Sequence, residues 1–422
     1  MENPTSPKKF FVISSAQGCV TNLLETTTIR NSINPALYER AKNEDEADVI
    51  FVNTCGYNDA AEKTSLDVIT GYQNRFPGKK IIVGGCLPRI NSEGLEAVFK
   101  GDIVRTGDVK ALNQVLEAST VDVEKATKES SEIDASDLDT RLSSNRTVQK
   151  IYPYYSKLEN LFGTEFYPLH NILQSLIFDK KTYAISVARG CLGRCNYCAI
   201  KKAKGRLVSR KLVEIVDEFQ AALQKGYTRF HLAADDVGCW GQDVGLDSAK
   251  LLSALFRIRG DYQLIIDYFD PTWLTRLFDP LLEPLSDPRM ICINAPMQSG
   301  STPLLHKMSR EYDADTVLEQ LSMIKQKNPR TVMKTHILVG YPGETAEDFK
   351  KSLEILRHFD LIFPNKFGPR PGTPAAEMEQ LPEHIRKYRF ERLKLSILAR
   401  HSKVLLHSLF RPSSLTPSLA SR

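Results

Sequence analysis

The chain has 422 residues, of which 42% are hydrophobic and 25% are charged. These values are those of a globular protein, so a collagen-like chain and a wholly disordered chain are excluded. Lys and Arg number 56 against 51 Asp and Glu, and a formal charge of +5 lacks the basic excess of a protein held mainly by phosphate contacts. No apolar run approaches the ~20 residues that cross a bilayer. We therefore expect no membrane contact and a cytoplasmic location.

The first part of the chain, residues 8–120, is predicted to form a small parallel α/β domain. Short apolar and β-branched runs predict its strands at 10–14, 48–53 and 80–83, and amphipathic segments separate them. The next segment, 121–180, is predicted to be a linker and bridge, because polar residues dominate its first half and large apolar residues become rare there.

Strand–helix alternation resumes in the segment 181–380. The predicted strands are 183–187, 229–233, 263–268, 290–294, 332–339 and 361–363. The predicted helices are 212–224, 248–257, 271–278, 315–327 and 346–358. Six successive β-then-α units predict an open, partial barrel or a doubly wound sheet, and both collect ligands at the carboxyl ends of their strands. The remainder, 381–422, is predicted to be a basic amphipathic helix followed by a frayed tail.

Three cysteines, which we call the loop triplet, lie within eight residues directly after the strand at 183–187: Cys191, Cys195 and Cys198. Three thiols at this spacing can converge on one centre, and thiolates are the usual ligands of iron–sulfur clusters. Zinc is the alternative, but zinc prefers a closed set of four ligands, and no His or further Cys follows at finger-like spacing. An iron–sulfur cluster with one open iron is therefore favoured.

Three other cysteines, the sheet triplet, are far apart in sequence, and each follows a predicted strand: Cys19, Cys55 and Cys86. Parallel strands deliver their carboxyl ends to one edge of a sheet, so we expect these thiols to meet in one crevice and hold a second cluster. Cys292 lies inside an apolar strand and is predicted to fill the core. Cys239 lies in a turn and is assigned no role.

The element Cys-x3-Cys-x2-Cys at the first strand of a βα-repeat domain resembles the signature of radical-SAM enzymes. Together with three upstream cysteines, it resembles one family of these enzymes, the two-cluster methylthiotransferases. The resemblance extends to about residue 395 and includes Gly18-Cys19, Val52-Asn53-Thr54-Cys55-Gly56, Gly85-Cys86-Leu87, and the segments 205–210, 296–301, 308–312, 339–345 and 370–376. It implies an N-terminal α/β domain followed by a partial (βα)6 barrel.

The resemblance also implies the cofactors. The loop triplet would hold a 4Fe-4S cluster that binds S-adenosylmethionine at its open iron, and one-electron cleavage would give a radical that removes hydrogen from an unactivated C–H bond. The sheet triplet would hold a second 4Fe-4S cluster that carries the methylated sulfur. An electron donor such as flavodoxin or ferredoxin is implied as a partner.

Residues at predicted strand ends are candidates for contact with S-adenosylmethionine. A carboxylate can accept hydrogen bonds from ribose hydroxyls, and an arginine can pair with the methionine carboxylate. Each has a plain alternative as a capping carboxylate or a solvated charge. The candidates are Arg210, Asp235, Asp236, Gln298, Ser299, Arg310, Gly340 and Glu344.

The chain departs from the family pattern at several positions. Val20 stands where the family shows Gln, the acidic pair that follows becomes Glu25 and Thr27, and Lys201 and Lys204 replace the usual Pro and Arg. The twelve residues after 410 are too few for the small C-terminal β-barrel (TRAM domain), which we expect to be missing. These departures predict retained chemistry with altered substrate recognition.

The segments 52–56 and 205–210 look closest to the branch that modifies an aspartate of a ribosomal protein. The leading prediction is therefore a methylthiotransferase acting on a peptide or protein side chain, either a ribosomal protein or a ribosomally made peptide. The alternative is a tRNA adenosine methylthiotransferase, for which the basic helix at 386–403 and the run 201–210 would bind phosphates. A third hypothesis is a non-catalytic cluster- or zinc-holding binding protein.

Overall fold

The structure is a computed structural model that describes residues 7–16, 19–31, 33–106, 108–116 and 182–410, with the backbone alone for 109–110 and 401–410. The predicted linker at 121–180 and the predicted tail lie outside the described residues. None of the described helices combines the length and the apolar character that a membrane crossing requires.

Five parallel strands form the first sheet, in the order β2-β1-β3-β4-β5. The strands are β1 (Lys8–Ser14), β2 (Tyr38–Arg40), β3 (Val49–Thr54), β4 (Lys80–Gly85) and β5 (Asp102–Ile103). The helices are α1 (Val20–Asn31), α2 (Asp59–Arg75), α3 (Leu87–Ile90), α4 (Ser92–Val98) and α5 (Val109–Val115). Because the chain runs from β1 to β2 and then back across to β3, the strand order reverses beside β1, where a ligand crevice is expected.

Strand β3 is the centre of this sheet, and all of its residues are buried. Phe51 packs with Phe10 and Ile82 on one face, and Ile50 packs with Val83 on the other. A parallel strand that is covered on both faces reads as a continuous apolar run. This is why the sequence Val-Ile-Phe-Val predicts the strand.

Six parallel strands form the second sheet and neighbour one another in chain order. They are β6 (Thr182–Ser186), β9 (Arg229–Ala233), β10 (Gln263–Ile266), β11 (Met290–Asn294), β12 (Val332–Val339) and β13 (Leu361–Lys366). Each crossover adds a strand to the same edge, so right-handed connections place the helices on one face. A doubly wound sheet would reverse its order. The predicted partial (βα)6 barrel is therefore confirmed.

A short antiparallel hairpin, β7 (Ala188–Arg189) and β8 (Val208–Ser209), follows β6 and encloses the loop triplet. The helices of this half are α6 (Ile200–Lys204), α7 (Leu212–Gln224), α8 (Ser248–Phe256), α9 (Pro271–Arg276), α10 (Phe278–Leu285), α11 (Thr302–Lys307), α12 (Ala314–Lys327), α13 (Ala346–Glu354), the 3-10 helix Ile355–His358, α14 (Pro374–Glu377) and α15 (Glu383–Phe410).

The predicted single helix at 271–278 is wrong, because the chain forms α9 and α10 instead. Leu277 leaves the helical region, with a φ of −121° and a ψ of 25°. Pro280 follows three residues later, and its ring would clash with the carbonyl of Arg276 in a continuous helix. The proline is accommodated in the first turn of α10, where its missing amide costs nothing.

Helix α1 joins the two sheets. Its residues Val20, Leu23 and Leu24 form one apolar cluster with Ala184 on β6 and Ala233 on β9. Burial of each such aliphatic side chain contributes roughly 1.5–3 kcal/mol, so the helix is fixed against the interior of the barrel. The small alanines let the helix approach closely and fill the β6–β9 side of the barrel.

Charged pairs hold the same interface. Lys204 on α6 pairs with Glu25 on α1 at 2.8 Å, and both side chains are mostly buried. Arg370 pairs with Asp59 on α2 at 3.0 Å and also with Glu62. The carboxyl edge of the first sheet therefore faces the carboxyl edge of the barrel.

Candidate active site

Two cysteines of the loop triplet lie beside a glycine. The Sγ atoms of Cys191 and Cys195 lie 3.1 and 3.8 Å from the place that a Cβ on Gly193 would occupy, and the Gly193 amide donates to the Cys191 Sγ at 3.0 Å. Burial, with the neighbouring thiols Cys195 and Cys191, raises the pKa of Cys198 to about 12. Buried thiols of this kind ionise when a metal supplies positive charge. Two thiols beside a space that a side chain would fill, with a third thiol close enough to be affected by both, fit an iron–sulfur cluster.

Arg310 is a buried cation beneath this loop. Its guanidinium pairs with Asp270 at 2.9 Å and donates to the Cys195 Sγ at 3.4 Å and to the Tyr197 hydroxyl at 3.0 Å. Burial acts to lower the pKa of Arg310, but Asp270 and the nearby phenols hold it well above its usual value. Arg310, one of the two arginines predicted to pair with the methionine carboxylate, is thus already paired with Asp270 and contacts the loop triplet.

A cavity of about 360 Å³ opens beside Cys195. Asp270 and Arg310 line its inner side, and Trp273 and Arg276 line its outer side. The Arg276 guanidinium lies 5.4 Å from the Trp273 ring centroid. This cavity gives solvent a route to the Cys195 side of the loop.

The sheet triplet occupies the carboxyl ends of β1, β3 and β4. The Cys55 amide donates to Ser65 Oγ at 3.0 Å, and the Cys86 amide donates to the Thr54 carbonyl at 2.9 Å. Burial raises the pKa of Cys55 to about 12, and Cys19 acts in the same direction. Burial also raises the pKa of Cys86, and both Cys55 and Cys19 contribute to that increase. Because such Coulomb effects weaken with distance, the three thiols lie near one another at this edge of the sheet, where Cys55 and Cys86 are buried and Cys19 is partly exposed.

Asp235 lies between the two triplets. It accepts a hydrogen bond from the Gly190 amide, directly before the loop triplet, at 2.8 Å. Its negative charge adds to the effect of burial in raising the pKa of Cys19. Burial likewise raises the pKa of Asp235 itself, although Lys204 opposes this. One carboxylate therefore contacts the backbone of one triplet and lies near a thiol of the other.

Sequence reasoning gave no role to Cys239, which lies fully buried beside the loop triplet. Its Sγ lies 3.2 Å from the Asp236 carbonyl, and the ligand atoms of Cys191, Asp236 and Cys239 lie within 4.8 Å of one another. Burial, and then the nearby Asp270 carboxylate, raises the pKa of Asp236 to about 7. The signal in the sequence was the position of Cys239 in the loop after β9, the strand end that also carries Asp235 and Asp236.

Two other candidates for cofactor contact are engaged inside the barrel wall. Arg210 pairs with Glu218 at 2.7 Å and donates to the Ser186 carbonyl at 2.8 Å. Ser299 is buried with its hydroxyl 3.0 Å from that of Ser352. Their contact with S-adenosylmethionine stays a prediction.

The remaining candidates lie near α15 and β12. The Glu344 carboxylate accepts from the Gly340 amide at 2.7 Å and pairs with Arg389 at 2.7 Å. Gln298 has a φ of 64° and forms an isolated bridge with Ile337. These residues join the rim of the barrel to the C-terminal helix, and their contact with the cofactor also stays a prediction.

Two family models match the chain. Residues 11–106 match the Uncharacterized protein family UPF0004, and residues 185–356 match the Radical SAM superfamily. The fold resembles that of the radical S-adenosylmethionine methyltransferase TsrM from Kitasatospora setae, with a TM-score of 0.56 and 13% identity over 87% of this chain and 75% of that chain. The fold and the loop triplet together define a radical-SAM enzyme.

Curated relatives indicate which kind of radical-SAM enzyme the chain resembles. A probable threonylcarbamoyladenosine tRNA methylthiotransferase of Pyrococcus abyssi is 29% identical over 412 residues, covering 92% of this chain and 87% of the relative. The tRNA-2-methylthio-N(6)-dimethylallyladenosine synthase of Aquifex aeolicus is 29% identical over 409 residues, covering 94% of this chain and 85% of the relative. The two matched models and these relatives together support a radical-SAM methylthiotransferase, which implies a 4Fe-4S cluster and S-adenosylmethionine as cofactors.

The predicted enzyme class is confirmed, in preference to a non-catalytic cluster- or zinc-holding protein. The predicted substrate and partner, a peptide or protein side chain, are wrong. The matched relatives are named for tRNA and give the ribosomal-protein branch no support. The short segments 52–56 and 205–210 were the basis of this prediction, and each lies close in sequence to a cysteine triplet rather than to a substrate contact that the structure shows.

Proposed function

We propose that this chain is a tRNA adenosine methylthiotransferase with two 4Fe-4S clusters, one on each cysteine triplet. The observation that supports it best is Asp235, which binds the backbone before the loop triplet and lies near Cys19 of the sheet triplet. Two clusters held this way would face one chamber. The names of the relatives supply the substrate class.

The bound clusters and S-adenosylmethionine supply the radical and the sulfur, and the protein supplies position. Arg310 and Asp270 hold Cys195 from below, so the loop keeps one arrangement. Helix α1 closes the β6–β9 side of the barrel with apolar side chains, which excludes water from that wall. A dry, fixed chamber protects a reactive intermediate from side reactions.

The sequence predicts phosphate contacts on the C-terminal helix and on the run 201–210, and three arginines of the helix have other partners. Arg386 donates to the Phe367 carbonyl, Arg389 binds Glu344, and Arg400 donates to the Phe359 carbonyl, so these arginines anchor α15. Exposed cations also lie within and directly after the loop triplet: Arg194, Lys201, Lys202 and Arg206. A loop of RNA that brings an unstacked adenosine to the chamber would lay its backbone across this basic edge.

The test is methylthio transfer to RNA. The reconstituted protein, S-adenosylmethionine and dithionite are incubated with stem–loop RNAs that carry an N6-substituted adenosine, and the nucleosides are analysed by mass spectrometry. We expect one methylthio group on the adenosine with the wild type, and none with a variant in which the sheet triplet is replaced by alanine. An exposed control, Lys63→Met, should keep full yield. A methylthio product found only on peptides would contradict the proposal.

A further inference from the structure

One side of the barrel interior remains open to water. On β12, Lys334 and His336 are partly exposed while the residues between and after them are buried, and on β13 Phe363 and Asn365 are partly exposed too. The opposite side is filled by α1. These partly exposed side chains lie on the neighbouring strands β12 and β13, and Asn294 lies beside them on β11. We call the space that they border the barrel crevice, and the residues around it are Tyr57, Tyr268, Asn294, Lys334, His336, Phe363 and Asn365.

The mouth of the barrel crevice adjoins the sheet triplet. Burial raises the pKa of Tyr268 well above its usual value, and the nearby Cys19 and Asp267 add to this. Tyr57, two residues after Cys55, donates through its hydroxyl to Asn365 Oδ1 at 3.3 Å. A ligand in the crevice would therefore lie directly under the thiols of the sheet triplet.

Flat side chains form the upper layer of the crevice. The His336 and Phe363 rings are stacked, with centroids 5.1 Å apart and an interplanar angle of 18°, and the Tyr268 ring lies 5.7 Å from His336. Burial, helped by the Lys334 ammonium, lowers the pKa of His336 to about 3, so the imidazole is neutral near pH 7. Neutral aromatic faces are surfaces on which a nucleobase stacks.

A cation lies one layer deeper. The Lys334 Nζ lies 4.9 Å from the Phe363 ring centroid. Among the residues that the structure describes, no carboxylate pairs with this ammonium within 4 Å, and the Asp267 carboxylate instead lies 3.3 Å from His231. A half-buried ammonium that no carboxylate of the described residues neutralises can still bind an anion.

An amide lies beside this cation. Asn294 is fully buried, and its Nδ2 donates to the Asp267 carbonyl and lies 3.4 Å from His336 Nε2. Its Oδ1 is buried and has no hydrogen-bond partner in the described part of the chain. An unsatisfied buried acceptor costs about 1–3 kcal/mol. A ligand that donates a hydrogen bond to the Asn294 Oδ1 would therefore remove this cost.

We infer that the barrel crevice selects an adenosine whose N6 substituent carries a carboxylate, with Lys334 as its counter-ion and Asn294 as an acceptor for its N–H or O–H group. The inference rests on the proposed function and goes further by choosing a substrate. The relatives name two substituents: a threonylcarbamoyl group has a carboxylate, a hydroxyl and N–H donors, whereas a dimethylallyl group is apolar. An apolar chain would desolvate the ammonium and leave the amide oxygen unpaired.

The test compares binding of two stem–loop RNAs that differ only in the N6 substituent, threonylcarbamoyl or dimethylallyl. Affinities of the reconstituted protein without S-adenosylmethionine are measured by fluorescence anisotropy. We expect the wild type to prefer the threonylcarbamoyl RNA about 10-fold or more, since a hydrogen bond to a charged group contributes about 1.5–3 kcal/mol. Lys334→Met should abolish the preference, and Lys334→Arg should restore most of it.

The control is Lys350→Met, which removes an exposed lysine of α13 and should leave the preference unchanged. Loss of a phosphate contact weakens the binding of both RNAs equally. The ratio of the two affinities therefore reports only the effect of the N6 substituent. Three results would overturn the inference without affecting the proposed function. They are equal affinities in the wild type, a preference of the wild type for the dimethylallyl RNA, and a threonylcarbamoyl preference that persists in Lys334→Met. Failure to bind either RNA would overturn the proposed function and the inference together.

Discussion

Two arginines that line the cavity beside Cys195 differ in burial. Arg310 is 4% exposed and pairs with Asp270, whereas the Arg276 side chain is 53% exposed and pairs with Glu311 at 3.4 Å. Breaking a buried pair leaves a charge without a partner, while exposed pairs contribute little because water screens them. Two ion pairs beside one cavity should therefore contribute very differently to stability.

We expect Arg310→Met to lower the free energy of unfolding by about 3–5 kcal/mol, because Asp270 keeps its charge in a buried place. Arg276→Met should lower it by no more than about 1 kcal/mol. Urea denaturation of both variants at pH 7.5 measures the two effects. Similar losses in both variants would mean that the Arg310 pair is not the support of the loop triplet.

His336 should make the protein sensitive to acid. Its pKa in the folded state is about 3, below the ~6.5 of an unfolded histidine, so protons bind the unfolded chain first as the pH falls. Stability is complete above pH 6.5 and declines from there toward pH 3. Between pH 7.5 and 5.5 the loss due to this residue is about 1 kcal/mol.

In His336→Gln, the decrease in unfolding free energy between pH 7.5 and 5.5 should be smaller than in the wild type by about 1 kcal/mol. The exposed His306 supplies the matched control, and His306→Gln should leave the decrease unchanged. Urea titrations at the two pH values give the comparison. An unaltered decrease in His336→Gln would show that the histidine titrates normally in the folded protein.

At the scale of elements, two glycines have opposite roles. Gly190 has a φ of 77°, and a Cβ there would collide with the Arg206 carbonyl on the way to β8. Gly71 lies in α2 with no atom within 4 Å of the place of its Cβ. The first glycine lets the hairpin close around the loop triplet, and the second only adds flexibility to the unfolded chain.

Gly71→Ala should therefore raise the free energy of unfolding by about 0.5–1 kcal/mol, since alanine favours the helix. Gly190→Ala should lower it by about 1–3 kcal/mol, because it imposes backbone strain and a steric clash. Thermal unfolding of both variants and the wild type shows whether each substitution raises or lowers the stability. Destabilisation by Gly71→Ala, or tolerance of Gly190→Ala, would contradict the geometry of these elements.

The repeating elements could be predicted because their burial pattern is local. Strands β9, β11 and β12 match the predicted ranges, and nearly all of their residues are buried. The strands β2 and β5 have three and two residues, too few for any pattern to stand out. The break before α10 depends on Pro280, a signal that was present in the sequence and was not used.

The candidate site was predictable only in part. Thiols at the ends of parallel strands follow from topology, and this reasoning placed Cys19, Cys55 and Cys86 at one edge. The partners of Arg310 and the buried position of Cys239 depend on packing between distant loops, which no local pattern encodes. The proposed selection of the substrate depends on the interior of the barrel, where alternate residues of β12 and β13 are neighbours across the sheet.

At the scale of the whole molecule, the approach of the two cysteine triplets depends on how the two sheets are joined. The Lys204 side chain is 7% exposed and pairs with Glu25 across the interface. Its charge also lies near Cys86 and Asp235, so it helps to fix the electrostatic environment of both triplets. Loss of this pair should loosen the interface as well as the local structure.

Glu25→Gln should lower the free energy of unfolding by about 3 kcal/mol, because it leaves Lys204 charged and buried without its partner. Asp67→Asn breaks an exposed pair with Lys63 on α2. This substitution should change the free energy of unfolding by less than about 1 kcal/mol. Denaturant unfolding of the two variants provides the measurement. An equal and small effect in both would show that the interface does not depend on this pair.

The most direct test of the central claim is the iron content of three proteins after anaerobic reconstitution, with Mössbauer spectra to identify the clusters. The wild type should hold about eight irons per chain as two 4Fe-4S clusters, and replacement of either cysteine triplet by alanine should leave about four. A wild type with about four irons, or a variant without Cys19, Cys55 and Cys86 that still holds about eight, would contradict the account of two facing clusters.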